Sequence, residues 1–308
     1  MNSIAKPKKF IPLALIATTL WGSAFAGAKI GFEYMPPIML SGIRFTLAGA
    51  LLIPVAFALK VSWKEQLKHW KFIFIFGFIQ TFLQYGLFYM GLDLVPGALS
   101  AIIIGAGPLF IAIIAHFLVD NDKLKASTVF AILLGLSGVI FISLSGGATS
   151  IDSPHFYRGV ILLVTSNIIG SFTNIMVVKH NKPISPIVLT MLANLFGGLL
   201  LFIVSLFVED RTILLTSFPL KFHLAILWLA IIPAASFSIW YYLLSLPGVK
   251  VSELNVWKFT IPVVGVLLSW LLLPNEHPTW ISVTGIIIIS TAVLVLQIPR
   301  KRATSQKG

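Results

Sequence analysis

Cysteine is absent from all 308 residues, which excludes a disulfide framework, thiolate catalysis and Cys-ligated zinc or iron–sulfur centres. Charge is scarce too: 10% of residues are Asp, Glu, Lys or Arg, and only ten are acidic. So little polarity cannot cover a water-soluble globule. There is no Gly-x-x-x-x-Gly-Lys-Ser/Thr loop and no polar stretch long enough to be a nucleotide-binding domain, so ATP-driven transport by this chain alone is excluded. The histidines, at 69, 116, 155, 180, 223 and 277, form no His-Glu-x-x-His pair, and no acid stands at mid-span. No cofactor and no metal is therefore expected.

What the sequence has is apolar length. It is 57% hydrophobic, with mean hydropathy +0.97. A bilayer core takes about 20 apolar residues per helix, and a 19-residue window marks ten stretches: 10–31, 36–58, 70–92, 96–119, 125–145, 156–178, 184–208, 222–245, 250–273 and 278–297. The first follows a basic start, Met1 to Lys9, but its apolar run is too long for a secretory signal, so it reads as a retained span. The expected fold is all-α and polytopic.

The basic residues orient these spans. With the N-terminus inside, sixteen Lys and Arg fall on inside segments, including Lys60, Lys64, Lys68, Lys71, Lys179, Lys250 and Arg300. Only Arg158, Arg211 and Lys221 fall outside, while Lys29, Arg44 and Lys258 lie within apolar stretches. This asymmetry fits the positive-inside rule for ten spans in a plasma membrane, a bacterial inner membrane, with both termini cytoplasmic. The net charge of +12 thus reads as topological, and nucleic acid is not expected as a partner.

The second half echoes the first. At an offset of 154, Gly107-Pro108 meets Ile261-Pro262 and Asn121-Asp122 meets Asn275-Glu276. Near an offset of 149, Pro37-Ile38 falls on Pro186-Ile187 and Gly49 on Gly198. Residues 1–149 and 150–308 thus form two five-span repeats, and because five is odd the second is inverted, as in many secondary transporters.

Leu20-Trp-Gly-Ser-Ala-Phe25, Arg44-Phe-Thr-Leu-Ala-Gly-Ala50, Ala98-Leu-Ser-Ala-Ile with Pro108, and Pro262 followed by Leu272-Leu-Pro-Asn-Glu276 resemble the EamA-type transporters of the drug/metabolite transporter superfamily. The resemblance covers nearly the whole chain. It implies two EamA-like repeats around a central cavity, lined by spans one to four and six to nine, with five and ten peripheral.

Polar residues inside spans face a cavity or another helix, because lipid satisfies no hydrogen bond. Span three carries a stripe of Gly77, Gln80, Thr81, Gln84, Tyr85 and Phe88; span six has Asn167, Gly170, Ser171 and Asn174; span one has Trp21 with Thr18, Gly22, Ser23 and Phe25; and span eight has Pro233, Ser236, Trp240 and Tyr241. Packing between helices explains single small residues as well as a site does. Lys258 stands eight residues beyond Lys250, about 12 Å inward, where a charge costs about 2.5–3.5 kcal/mol on insertion scales. Arg44 reaches similar depth from the other side and reads as structural, clamping carbonyls or Glu33. The substrate-binding set is therefore Trp21, Gln80, Gln84, Tyr85, Asn167, Asn174, Trp240, Tyr241 and Lys258, with Pro108 and Pro262 as hinges.

The resulting expectation is a secondary transporter that exports small organic metabolites, amino acids or drug-like compounds by alternating access. Its partners would be a small-molecule substrate and the lipid bilayer, with the chain a monomer or weak homodimer. An intramembrane lipid-modifying enzyme is the alternative, and it would need an acid/base or metal constellation near one interface.

Overall fold

The computed structural model describes residues 10–118, 126–145, 154–180, 183–247, 249 and 251–297. The basic termini, Asp122 and Asp152 lie outside these residues, as does the side chain of Glu253. Among the described residues there is helix and no strand. The long helices are α1 Phe10–Phe32, α2 Pro37–Ala58, α3 Trp70–Leu94, α4 Gly97–Leu118, α5 Ala126–Ser145, α6 Pro154–Lys179, α7 Pro186–Val208, α8 Leu220–Ser245, α9 over 251–272 and α10 Trp280–Gln297. Helix thus covers each apolar stretch to within two residues. Among the described residues seven helices, α1 to α4 and α6 to α8, are long and apolar enough to cross a membrane; Thr260–Leu272 and Val283–Ala292 are shorter apolar stretches.

Proline sets several starts. Pro37 and Pro186 stand in the first turns of α2 and α7, where a missing N–H costs nothing and a fixed φ helps. The remaining free N–H groups are capped across the chain. Ile38 and Met39 donate to Oε1 and Oε2 of Glu209 at 2.8 and 2.7 Å, and Gly97 and Ala98 donate to those of Glu276 at 2.5 and 2.7 Å. At the opposite end of the bundle, Ser185 N–H donates to Gln66 Oε1 at 2.8 Å. A carboxylate at a helix N-terminus also meets the favourable end of the macrodipole.

Three helices are irregular. Helix α3 is a π-helix over Phe78–Gln84, a local widening often found at functional sites. Helix α4 breaks at Ala106, with Pro108 in the first turn of its second segment, Gly107–Leu118. Helix α9 begins as Val251–Asn255, tightens to a 3₁₀ turn over Val256–Phe259 and resumes at Thr260–Leu272, with Pro262 in that new first turn. Each proline predicted as a hinge therefore immediately follows a helix discontinuity, as its missing N–H and its ring demand.

The principal packing pairs among the described residues are α2 with α7, α4 with α9, α5 with α10, α1 with α8 and α9, and α6 with α3 and α4. Helices α2 and α7 meet at backbone distance. A Cβ on Gly198 would lie 2.5 Å from Thr46 N, one on Gly49 2.8 Å from Leu195 N, and one on Gly42 2.5 Å from Phe202 N. Small residues that let backbones approach are how membrane helices gain packing without a hydrophobic driving force.

Candidate functional site

A cavity lies where α1, α2, α3, α4, α6, α8 and α9 converge. Every residue predicted to bind substrate lines it: Trp21, Gln80, Gln84, Tyr85, Asn167, Asn174, Trp240, Tyr241 and Lys258. Arg44, Phe25, Phe88 and Phe237 are among the other residues of the wall. Among the described residues, helices α5 and α10 contribute nothing to the lining, and they pack on each other. Helix α7, expected to line it, contributes nothing either, because its glycine face is committed to α2.

The amides differ in what they have left to offer. Asn167 Nδ2 donates to Ile103 O at 2.8 Å, at the break in α4. Asn174 donates to Gly170 O at 2.6 Å and accepts from Trp240 Nε1 at 2.8 Å, so it is engaged on both sides. Gln80 Oε1 accepts from the Thr173 hydroxyl at 2.8 Å. By contrast Gln84 Oε1, Tyr241 OH and Trp21 Nε1 are buried without a hydrogen-bond partner among the described residues. Unsatisfied buried groups cost free energy, and here they stand beside an open volume that a solute's polar atoms can fill.

The stripes split on close inspection. On α3, Gln80, Gln84, Tyr85 and Phe88 face the cavity, but Gly77 and Thr81 face α7, where Thr81 Oγ1 bonds Asn194 Oδ1 at 3.4 Å. On α1, Trp21 and Phe25 face inward, whereas Gly22 abuts Val264 and the Ser23 hydroxyl accepts from Trp228 Nε1 at 3.1 Å. On α8, Ser236 bonds its own Ile232 O at 2.6 Å. Phe237, which sequence polarity could not flag because it is apolar, packs against Trp21 with ring centroids 5.4 Å apart and stacks on Tyr241 at 5.6 Å.

Among the described residues two cations stand in the wall, and no Asp or Glu is among the lining residues. Arg44, only 2% exposed, does not reach Glu33, which pairs instead with Lys221 at 2.8 Å. Its guanidinium donates to the Tyr89 hydroxyl and lies over the rings of Phe45 and Tyr89, at 4.7 and 5.3 Å. Its Nε has no hydrogen-bond partner among the described residues. Lys258, on the 3₁₀ turn of α9, places its ammonium 5.0 Å from the Trp240 ring and 5.5 Å from that of Trp21. Lys29, nearer a helix end, bonds Asp93 O at 3.1 Å.

At the rim holding the caps, burial pushes the Glu209 carboxyl above its ordinary value, against the downward pull of its two backbone N–H bonds and with a further upward push from Asp93. Exposed Asp210 is lowered by its bonds from Thr212, which cap the following turn Arg211–Leu215.

Known proteins resemble this chain in fold and in sequence. A solved crystal structure 20% identical in sequence superposes with a TM-score of 0.70, covering 94% of this chain and 98% of that one, which is a likeness of fold. The Bacillus subtilis protein named uncharacterized transporter YetK is 24% identical over 290 residues, 93% of this chain and 86% of its own. An Escherichia coli protein named "Probable amino-acid metabolite efflux pump" is 23% identical over 297 residues, 92% and 93% of the two chains. The EamA-like transporter family matches over residues 8–144 and again over 157–298, so apolar helices, cavity and both halves of the sequence agree: this multi-pass membrane protein belongs to the EamA-like transporters of the drug/metabolite transporter superfamily.

Proposed function

We propose that the chain is a secondary transporter that exports small organic metabolites, amino acids or drug-like compounds among them, by alternating access around the central cavity. In this reading it crosses a plasma membrane, the bacterial inner membrane, ten times with both termini cytoplasmic. Residues 1–149 and 150–308 are its two inverted repeats.

The observation that carries the reading is the symmetry of the packing. Exchanging each helix for the one five places along leaves the principal pairs unchanged: α2 with α7, α4 with α9 and α5 with α10 map onto themselves, α1 with α8 maps onto α6 with α3, and α1 with α9 onto α6 with α4. The close approach of Gly49 to Leu195 is the mirror of that of Gly198 to Thr46, each residue displaced by the same 149 positions. Contacts that pair reciprocally are the mark of a two-fold relation, and a two-fold axis in the membrane plane supports rocking of one repeat against the other about a midplane site. The paired discontinuities before Pro108 and Pro262 supply weak points for that motion. The export direction rests on the Escherichia coli relative's name. The lipid-modifying enzyme gains no support from these relatives.

Because the native chain has no cysteine, single cysteines test both parts of the reading. Lys64→Cys should react with an impermeant reagent only from the cytoplasmic side and Arg211→Cys only from outside. Ser171→Cys in the cavity wall should be reachable from each side in turn. A cysteine at residue 171 reachable from one side under every condition would overturn alternating access, and reversed labelling at 64 and 211 would overturn the orientation.

A further inference from the structure

The charge set of the cavity narrows what it can bind. Among the described residues two basic side chains line it, from α2 and α9, and no carboxylate does. They are not equivalent. Arg44 is held by the Tyr89 hydroxyl and two aromatic rings. The Lys258 ammonium, with three protons to donate, makes no hydrogen bond and no ion pair among the described residues and rests only on the faces of Trp21 and Trp240. Cation–π contact compensates an ammonium only in part, and a charge in a low-dielectric cavity calls for an opposite charge.

The surroundings say what body that charge should be attached to. Phe25, Phe88, Tyr85 and Phe237 form a continuous set of edge-on contacts 5.6 to 5.8 Å apart. A flat or branched apolar body fits such a wall. An amine on the same body would find no carboxylate among the described lining residues, and the indole faces that could hold it are already covered by Lys258.

We propose that the substrate is an organic anion: a carboxylate, or a group of like charge, that pairs with Lys258 and is carried on an apolar or aromatic body with no ammonium of its own. This rests on the transporter reading and deepens it, ranking organic acids above zwitterions and placing organic cations last.

The test uses four probes on one skeleton with the purified full-length protein: 3-phenylpropionate, phenylalanine, phenethylamine and neutral 3-phenylpropan-1-ol. Binding is read by intrinsic tryptophan fluorescence, since Trp21 and Trp240 line the site, and by thermal stabilisation. The wild type should bind the anion most tightly and the cation least. Lys258→Met should weaken the anion by about tenfold or more, the loss expected when one member of a desolvated charge pair is removed, and leave the neutral alcohol within about twofold. Lys258→Arg, which keeps the charge, should keep the order and guards against a Met variant that fails to fold. A cation bound as well as the anion, an unchanged order in Lys258→Met, or no binding by any anion would overturn the proposal. Any of these with a residue-171 cysteine that still alternates in accessibility would overturn the substrate class alone, whereas one-sided accessibility would remove the transporter reading beneath it.

Discussion

Gly198→Ala should be among the most damaging single-methyl changes in this protein, and the reason is geometric. Its new Cβ would lie 2.5 Å from Thr46 N and 2.9 Å from Phe45 C, about 0.9 Å short of ordinary contact at the nearest atom. Both neighbours are backbone, so no rotamer change relieves the clash; α2 and α7 must separate. Overpacking of this kind costs about 1–3 kcal/mol. Gly49→Ala meets Leu195 N and Met191 O, each at 2.8 Å, across the same interface, and should cost a similar amount. Because one rigid-body separation relieves both clashes, the double variant should cost clearly less than the two singles together, a coupling of about 0.5 kcal/mol or more between sites sharing a backbone shift. Gly86→Ala is the control, since its Cβ would meet only Leu201 Cδ2 at 3.2 Å, the mobile end of a side chain. Melting of the four variants in detergent, or their unfolding by steric trapping, measures these differences. Gly198→Ala as benign as Gly86→Ala, or strictly additive singles, would refute the account.

Three further outcomes are expected. Lys60 adopts φ 50° and closes α2 with bonds from Lys60 N to Phe57 O at 2.9 Å and from Val61 N to Ala56 O at 3.4 Å, a Schellman end normally held by glycine; Lys60→Gly should therefore stabilise by about 1 kcal/mol, and a lower melting temperature would contradict it. Asn167→Ala should destabilise by about 1–3 kcal/mol, because Ile103 O then loses the donor that the break in α4 requires; unchanged melting would show that another group satisfies that carbonyl. Burial raises Glu209 above the ordinary carboxylate value, so the folded chain favours the protonated form more than the unfolded chain does, and this contribution to stability is present at low pH and lost as pH rises through the raised titration. The melting temperature of wild type minus that of Glu209→Gln should accordingly increase as pH falls from neutral into that range, and a flat or falling difference would refute the sign.

Much of the fold was legible because a bilayer makes a helix announce itself: about twenty apolar residues bounded by charge or proline leave few alternatives. The cavity was legible for a related reason. Gln80, Gln84, Asn167, Asn174 and Lys258 are costly at mid-membrane, so their presence had to be explained by something other than lipid. The same logic could not separate two kinds of explanation. Gly77 and Thr81 share a stripe with Gln80 and Gln84, yet they serve the α7 contact, because a helix with neighbours on two sides divides its polar face between them. The π-helix at Phe78–Gln84 shifts that division, and nothing in the sequence marks it. Apolar lining residues such as Phe237 were invisible to a search by polarity.

Arg44 shows where pairing by charge misleads. Its nearest acid along the sequence is Glu33, but a carboxylate beyond the helix end is better used near water, where Lys221 meets it at 2.8 Å. The buried guanidinium is instead compensated by a phenol and two aromatic faces, groups that carry no formal charge to desolvate. The acids follow the same economy. Glu209 and Glu276 sit just past the ends of α7 and α9 and spend their charge on the free N–H groups of α2 and α4, helices from the other half of the chain. The acids described beyond these stay near helix ends, Asp93 beside Lys29 and Glu65 bonded to Lys68 at 2.8 Å. With the described carboxylates committed to the rims, the charged side chains described in the cavity wall are cations alone, and it is this division of charge by depth, more than any single residue, that makes an anion the complementary ligand.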